Sequence, residues 1–282
     1  MRMKWPMWRS RTSGALPLTL ALAVVGCTDA TAGLSDAGGL VVTGSSTIAP
    51  VIGDLAKRFE AANPGVRVDV QTGGSSRGLA DVRSGLAEIG MVSRALGGGE
   101  TDVTAHLLAR DGVAMIVHAS NPVASLTSEQ VLGIYTGRIR NWRALGGSDA
   151  PITVVHKADG RSTQKVFLSH FGIEAVDVKA SVVIGDNEQG IKSVAGNPDA
   201  VGYVSIGTAE ISASRGAQIK LVAQDGVEAS IRTVASGAFP VVRELNLVTR
   251  GTPTPLAQKF LVFALSEQAN ATIEAHAFVA VD

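Results

Sequence analysis

The chain has 282 residues, with 25 Lys and Arg balancing 25 Asp and Glu, and a single cysteine, Cys27. A lone cysteine excludes an internal disulfide, and a neutral balance without basic clusters argues against a nucleic-acid or polybasic membrane surface. The five histidines show no metal-ligand spacing, and neither H-E-x-x-H nor a Walker A motif occurs.

The first stretch, "MRMKWPMWRSRTSG", carries four basic and no acidic side chains. The apolar run "ALPLTLALAVVGC" that follows is too short to span a bilayer and has the length of a signal-peptide core. It ends in Val24-Val25-Gly26-Cys27, which resembles the lipobox of bacterial lipoproteins, where the cysteine is acylated. Residues 1–27 are therefore expected to be a lipoprotein signal peptide and residues 28–38 a flexible linker. The mature chain is then exported, periplasmic or at the cell surface, and meets the membrane only through lipid on Cys27. Without the leader it is mildly acidic, by about four charges. No later apolar run reaches membrane-spanning length.

"GLVVTG" reads as a strand, and "IAPVIGDLAKRFEAANPG" as a helix with Val51, Ile52, Leu55, Ala56 and Phe59 on one face, stopped at Asn63-Pro64-Gly65. "VRVDVQ" is the next strand, "RGLADVRSGL" a helix, "EIGMVS" a third strand, and "DGVAMIVH" a fourth, apolar enough to be buried on both faces. Thr127 to Gln130 has capping-box spacing and opens another helix. After Pro151 the pattern restarts with "ITVVH", the turn "KADGRST" and the helix "QKVFLSHFG". "AVGYVSIG" and "FPVVRELNLVTR" read as extended, and "TPLAQKFLVFALS" as a closing helix. Alternating strands and helices predict an α/β fold with mostly parallel sheets. The chain is expected to cross between two lobes near His118 and near Arg243, giving residues 39–117 and 244–282 to one lobe and 118–243 to the other.

Three strand-to-helix turns carry small hydroxyl residues: "TGSST" with Ser46 and Thr47, "TGGSSRG" with Ser75, and "DGRST" with Ser162 and Thr163. A fourth, "VSRAL", ends its strand in Ser93-Arg94. Turns at the C-terminal ends of parallel strands converge on a crevice, where each following helix points its free N–H groups. Partial positive charge there, with hydroxyls, suits a tetrahedral oxyanion. Arg94 and Arg161 would add bidentate donors. Taken singly, each such Ser or Thr is more often only a helix N-cap, worth about 1 kcal/mol. Gly74-Ser75-Ser76-Arg77-Gly78 also fits G-x-S-x-G, which leaves open a secreted serine hydrolase using Ser76 and His276. Against it, Ser76 follows only the second strand, and no HGGG-type segment precedes it.

Read together, the segment from "VTGSST" to "MVSRAL", "NPVASLTSEQVLGIYTGRIRNW", "NPDAVGYVSIG" and "FPVVRELNLVT" resemble the phosphate-binding proteins of bacterial ABC importers. The resemblance covers nearly the whole mature chain. It implies a two-lobed periplasmic-binding-protein fold (type II) with two inter-lobe crossings, closing over a dehydrated phosphate. It also implies a monomer that delivers inorganic phosphate to an ABC permease, performs no chemistry, and needs no cofactor, metal or nucleic acid. By motif, Thr47 and the backbone of Ile48 fall on the first anion-contacting turn, Ser75 on the second and Ser93-Arg94 on the third. The fourth turn departs from the family's R-x-D-G-S-G-T: Lys157 stands for an Arg, Arg161 for a Ser and Ser162 for a Gly, while Asp159 and Thr163 match. The lobe-2 charge is thus open between Lys157 and Arg161. Asp159 is the expected acceptor for a phosphate proton. Sulfate, molybdate or a phosphate-sensing scaffold remain alternatives.

Overall fold

The computed structural model describes residues 38–281. Its first lobe begins with β1 (Gly39–Gly44), α1 (Ala49–Ala62), β2 (Arg67–Thr72), α2 (Ser75–Ser84) and β3 (Ile89–Val92). Strand β1 lies between β2 and β3, parallel to both. The apolar face expected of α1 is buried from Val51 to Phe59, and Phe59 meets Phe260 edge-on at 5.2 Å. Each such side chain contributes about 1.5–3 kcal/mol by leaving water.

The chain then enters β4 (Thr104–His118), much longer than its apolar second half suggests. Next come β5 (Ser125–Leu126), α3 (Ser128–Tyr135), β6 (Thr153–Lys157), α4 (Ser162–Phe171), β7 (Val182–Ile184), α5 (Asn187–Ala195), β8 (Ala200–Ser205), α6 (Ile206–Ser214), β9 (Ile219–Leu221), β10 (Ala223–Gln224) and α7 (Ile231–Ala235). The capping box at α3 forms: Thr127 Oγ1 accepts from the Gln130 N–H, and the Gln130 side chain accepts from the Thr127 N–H. The chain returns through β11 (Val242–Thr249) and ends with α8 (Pro255–Ala264), α9 (Glu267–Ala275) and β12 (Val279–Ala280).

One curled sheet runs through both lobes in the order β2-β1-β3-β11-β4-β8-β6-β7. Its flanks are parallel, β6 pairing in parallel with both β7 and β8. Its centre is antiparallel, because β11 returns against both β3 and β4, and β4 against β8. The sheet is thus mixed, where the alternation of strands and helices suggested mostly parallel pairing. Strand β4 changes partner between Gly112, opposite β11, and Val113, opposite β8. The apolar run continues unbroken across this change of partner, so composition does not mark it. At the start of β11, Val242 and Arg243 pair with Gly112 and Asp111. Separate cores follow: Leu40, Ile52, Phe59, Leu247 and Phe260 in one lobe, and Met115, Ile134, Trp142, Phe167 and Tyr203 in the other. The opposite sheet faces are covered by Val82, Val92 and Val248 and by Ile116, Val155 and Val204.

Candidate functional site

Strands β1, β3, β6 and β7 end at one crevice, and α1, α2, α4 and α5 start there. Between them lies a cavity of only about 10 Å³ lined by polar side chains and glycines, against roughly 300–1,000 Å³ for pockets that take drug-sized ligands. Ser46, Thr47, Ser75, Ser93, Ser162 and Thr163 line it, as do Ser45, Lys157, Arg161, Asp186 and Asn187.

From the first lobe, Ser45 Oγ donates to Ser93 Oγ at 2.9 Å and accepts from the Thr47 N–H at 3.2 Å. Ser75 Oγ accepts from the Ser93 N–H at 3.1 Å. Ile48 does not present its backbone to the cavity: its N–H bonds to the Ser45 carbonyl at 3.2 Å as α1 begins, and its side chain is fully buried. Gly78 explains the G-x-S-x-G spacing without a nucleophile. A Cβ there would stand 2.7 Å from the Thr43 carbonyl oxygen, so glycine lets α2 lie close against β1. Ser76 is tied by its backbone N–H to the Gly160 carbonyl at 3.3 Å, while His276 Nε2 bonds to Asp54 at 2.9 Å. No hydrogen bond joins Ser76 and His276.

Two expected anion contacts lie elsewhere. Arg94 is clasped by Glu100, Nη1 and Nη2 each 2.7 Å from a carboxylate oxygen, and it lines outer grooves rather than the cavity. Glu100 is held down to about 2 by the Arg94 guanidinium, against the cost of partial burial. The turn "LGGGE" delivers this partner, and a bidentate ion pair outcompetes a more distant site. Asp159 is exposed, accepts from Gln164 Nε2 at 2.9 Å and does not line the cavity. The lining carboxylate is Asp186, whose Oδ1 caps α5 at the Gln189 N–H, 2.8 Å away.

Sequence reasoning missed Ser45 and Asp186, and two further residues that bridge the crevice. Asn187 Nδ2 donates across the cleft to Thr47 Oγ1 at 3.2 Å. Arg243, on β11, is buried against Asp111, with Nη2 2.7 Å and Nε 3.0 Å from the same carboxylate oxygen. Its remaining donors reach Thr163 Oγ1 at 2.8 Å and Thr47 Oγ1 at 3.3 Å. The one available signal was an Arg at the start of a long extended run.

Lys157 is 2% exposed, and its Nζ has no partner; nor has the buried Ser162 hydroxyl. A buried ammonium without a counter-ion is costly. Burial is the main cause that brings Lys157 down to about 7; the Arg243 and Arg161 guanidiniums push the same way, and Asp186 partly offsets them. The unfolded chain keeps the ordinary value of 10.5. Between about pH 7 and 10.5 it therefore binds a proton that the folded chain does not. The ligand-free protein should gain stability with rising pH across that window, by up to about 1.4 kcal/mol per unit. Denaturant melts at pH 7 and pH 9 on the parent and on Lys157→Met check this: the slope should vanish in the variant.

The family described as "PBP superfamily domain" matches residues 29–268. The phosphate-binding protein PstS of Bacillus subtilis (strain 168) is 28% identical over 240 residues, covering 84% of this chain and 78% of that protein. A substrate-binding protein of Clostridium perfringens, whose crystal structure contains bound phosphate, is 34% identical with a TM-score of 0.80, covering 87% of this chain and all of that one. An ABC-type phosphate transport receptor from Vibrio cholerae is 28% identical with a TM-score of 0.71 and covers 86% of this chain.

Proposed function

The chain belongs to the PBP superfamily, and from that premise we propose that it is an extracytoplasmic receptor for inorganic phosphate. It encloses one ion between its lobes and delivers it to the permease of an ABC importer. The observation that carries this reading is the unpartnered Lys157 ammonium, which with the free Ser162 hydroxyl lines a small cavity of polar side chains and glycines. An oxyanion supplies what both groups lack. Thr47, Ser75, Ser93 and Thr163 add hydroxyls, the starts of α2 and α4 add N–H groups and partial positive charge, and Arg243 holds the hydroxyls from behind. Lys157, rather than Arg161, supplies the inner charge of the second lobe.

This assembly binds and does not catalyse. Among the described residues, the one serine–histidine pair open to a catalytic reading, Ser76 and His276, is bound to different partners. Asp186 is the carboxylate placed to accept the hydrogen bond of a protonated phosphate and to repel fully ionised sulfate. Calorimetric titration of the mature chain with phosphate, sulfate and molybdate tests the reading. Saturation at one phosphate per chain, with sulfate and molybdate far weaker, is expected; no heat with phosphate overturns it.

Cys27 lies outside the described residues. We assign it as the lipid-bearing residue that anchors a monomeric receptor at the membrane. Cys27→Ser should move the protein out of the carbonate-washed membrane fraction, and a variant still retained there would show that the leader is not a lipoprotein signal.

A further inference from the structure

The Arg161 side chain lies in a slot walled by two glycines. A methyl group built on Gly74 would stand 3.1 Å from Arg161 Cδ and 3.5 Å from its Nε, and one built on Gly185 would stand 3.2 Å from its Nη2. Gly74 belongs to the first lobe, immediately before α2, and Gly185 to the second, before α5. Arg161 thus reaches from the start of α4 across to the opposite lobe. Among the described residues its guanidinium makes no hydrogen bond or ion pair, and it is only half-buried.

Its position explains what it does there. Arg161 lines the small polar cavity and also the neighbouring groove, of about 470 Å³, bounded by Ser76, Arg94 and Lys165. It is part of the wall between them. A guanidinium serving as the main ligand of an enclosed anion would be buried and aimed inward, as the Lys157 ammonium is. Arg161 instead fills space at the lobe junction, where bulk matters more than charge.

Resting on the phosphate reading above, we propose that Arg161 is the seal of the binding cavity: its side chain plugs the slot between Gly74 and Gly185 and holds the ion in after the lobes close. Release then requires the side chain to leave the slot, so Arg161 sets the dissociation rate. Gly74, with φ at 93°, sits in a conformation that other residues rarely adopt, and substitution there would strain the backbone. Gly185 has no such constraint, so Gly185→Ala can crowd the guanidinium, together with Gln189 Oε1, which stands 3.1 Å from the same position.

Stopped-flow release of inorganic phosphate from the mature protein tests the seal in four variants. Arg161→Ala should release phosphate at least about tenfold faster than the parent. Arg161→Met, which fills the slot without charge, should stay within about threefold of the parent. Gly185→Ala should speed release in the parent yet add nothing in the Arg161→Ala background, the signature of two changes acting on one contact. Equal acceleration by Ala and Met would make Arg161 a charge-bearing ligand and overturn the seal, as would unchanged release in both. A parent that does not retain phosphate at all would instead overturn the functional reading on which the seal rests.

Discussion

Lys157→Met should lose phosphate affinity by about 30-fold or more while raising the melting temperature of the ligand-free protein. The two effects have one cause. The Lys157 ammonium is taken out of water and given no counter-ion by the protein, so the empty site bears a desolvation cost that a bound anion offsets. Removing one partner of such a buried, hydrogen-bonded charge pair costs roughly 2–5 kcal/mol of binding, or about 30- to 4,000-fold. Methionine has a similar length and no charge, so the ligand-free fold is relieved of the same cost. Titration calorimetry and thermal melts on one variant read both signs. Undiminished affinity, or a lower melting temperature without ligand, would contradict the assignment of Lys157 as the inner charge.

Arg243→Met should destabilise the fold by roughly 3–5 kcal/mol, because it leaves Asp111 as a buried charge with no partner. Asp111 is fully enclosed, and its other contact is a 3.4 Å hydrogen bond from the Gly207 N–H. The same change removes the donors that hold Thr163 and Thr47 in place. The double variant Asp111→Leu/Arg243→Met separates these consequences. Apolar replacement of a whole buried ion pair is often neutral or better, so the double variant should recover most of the stability lost by the single one. Its phosphate affinity should remain low, because the hydroxyls at the crevice are no longer oriented. Affinity regained along with stability would show that Arg243 acts only on the fold.

Some of this protein is written in short stretches of chain. The buried face of α1 follows from the spacing of Val51, Ile52, Leu55 and Phe59, and the start of α3 from Thr127 and Gln130. Both depend on residues within a turn or two of one another. The repeated hydroxyl turns announced a crevice for an oxyanion for the same reason: a helix start displays its N–H groups whatever lies beyond it. Tertiary structure decided which side chains face the crevice. Arg94 stands on the expected turn but swings to Glu100, and Asp159 matches the family's turn but binds Gln164 in solvent. Arg243 enters from a strand because folding brings Asp111, 132 positions earlier, against it. Lys157 and Arg161, four residues apart, divide into an inner charge and an outer wall because β6 ends inside the protein while the turn that follows it, at Asp159 and Gly160, is exposed. Backbone periodicity is local and survives in sequence. The direction of a charged side chain depends on which partner lies nearest in space, and only the closed fold brings those partners together.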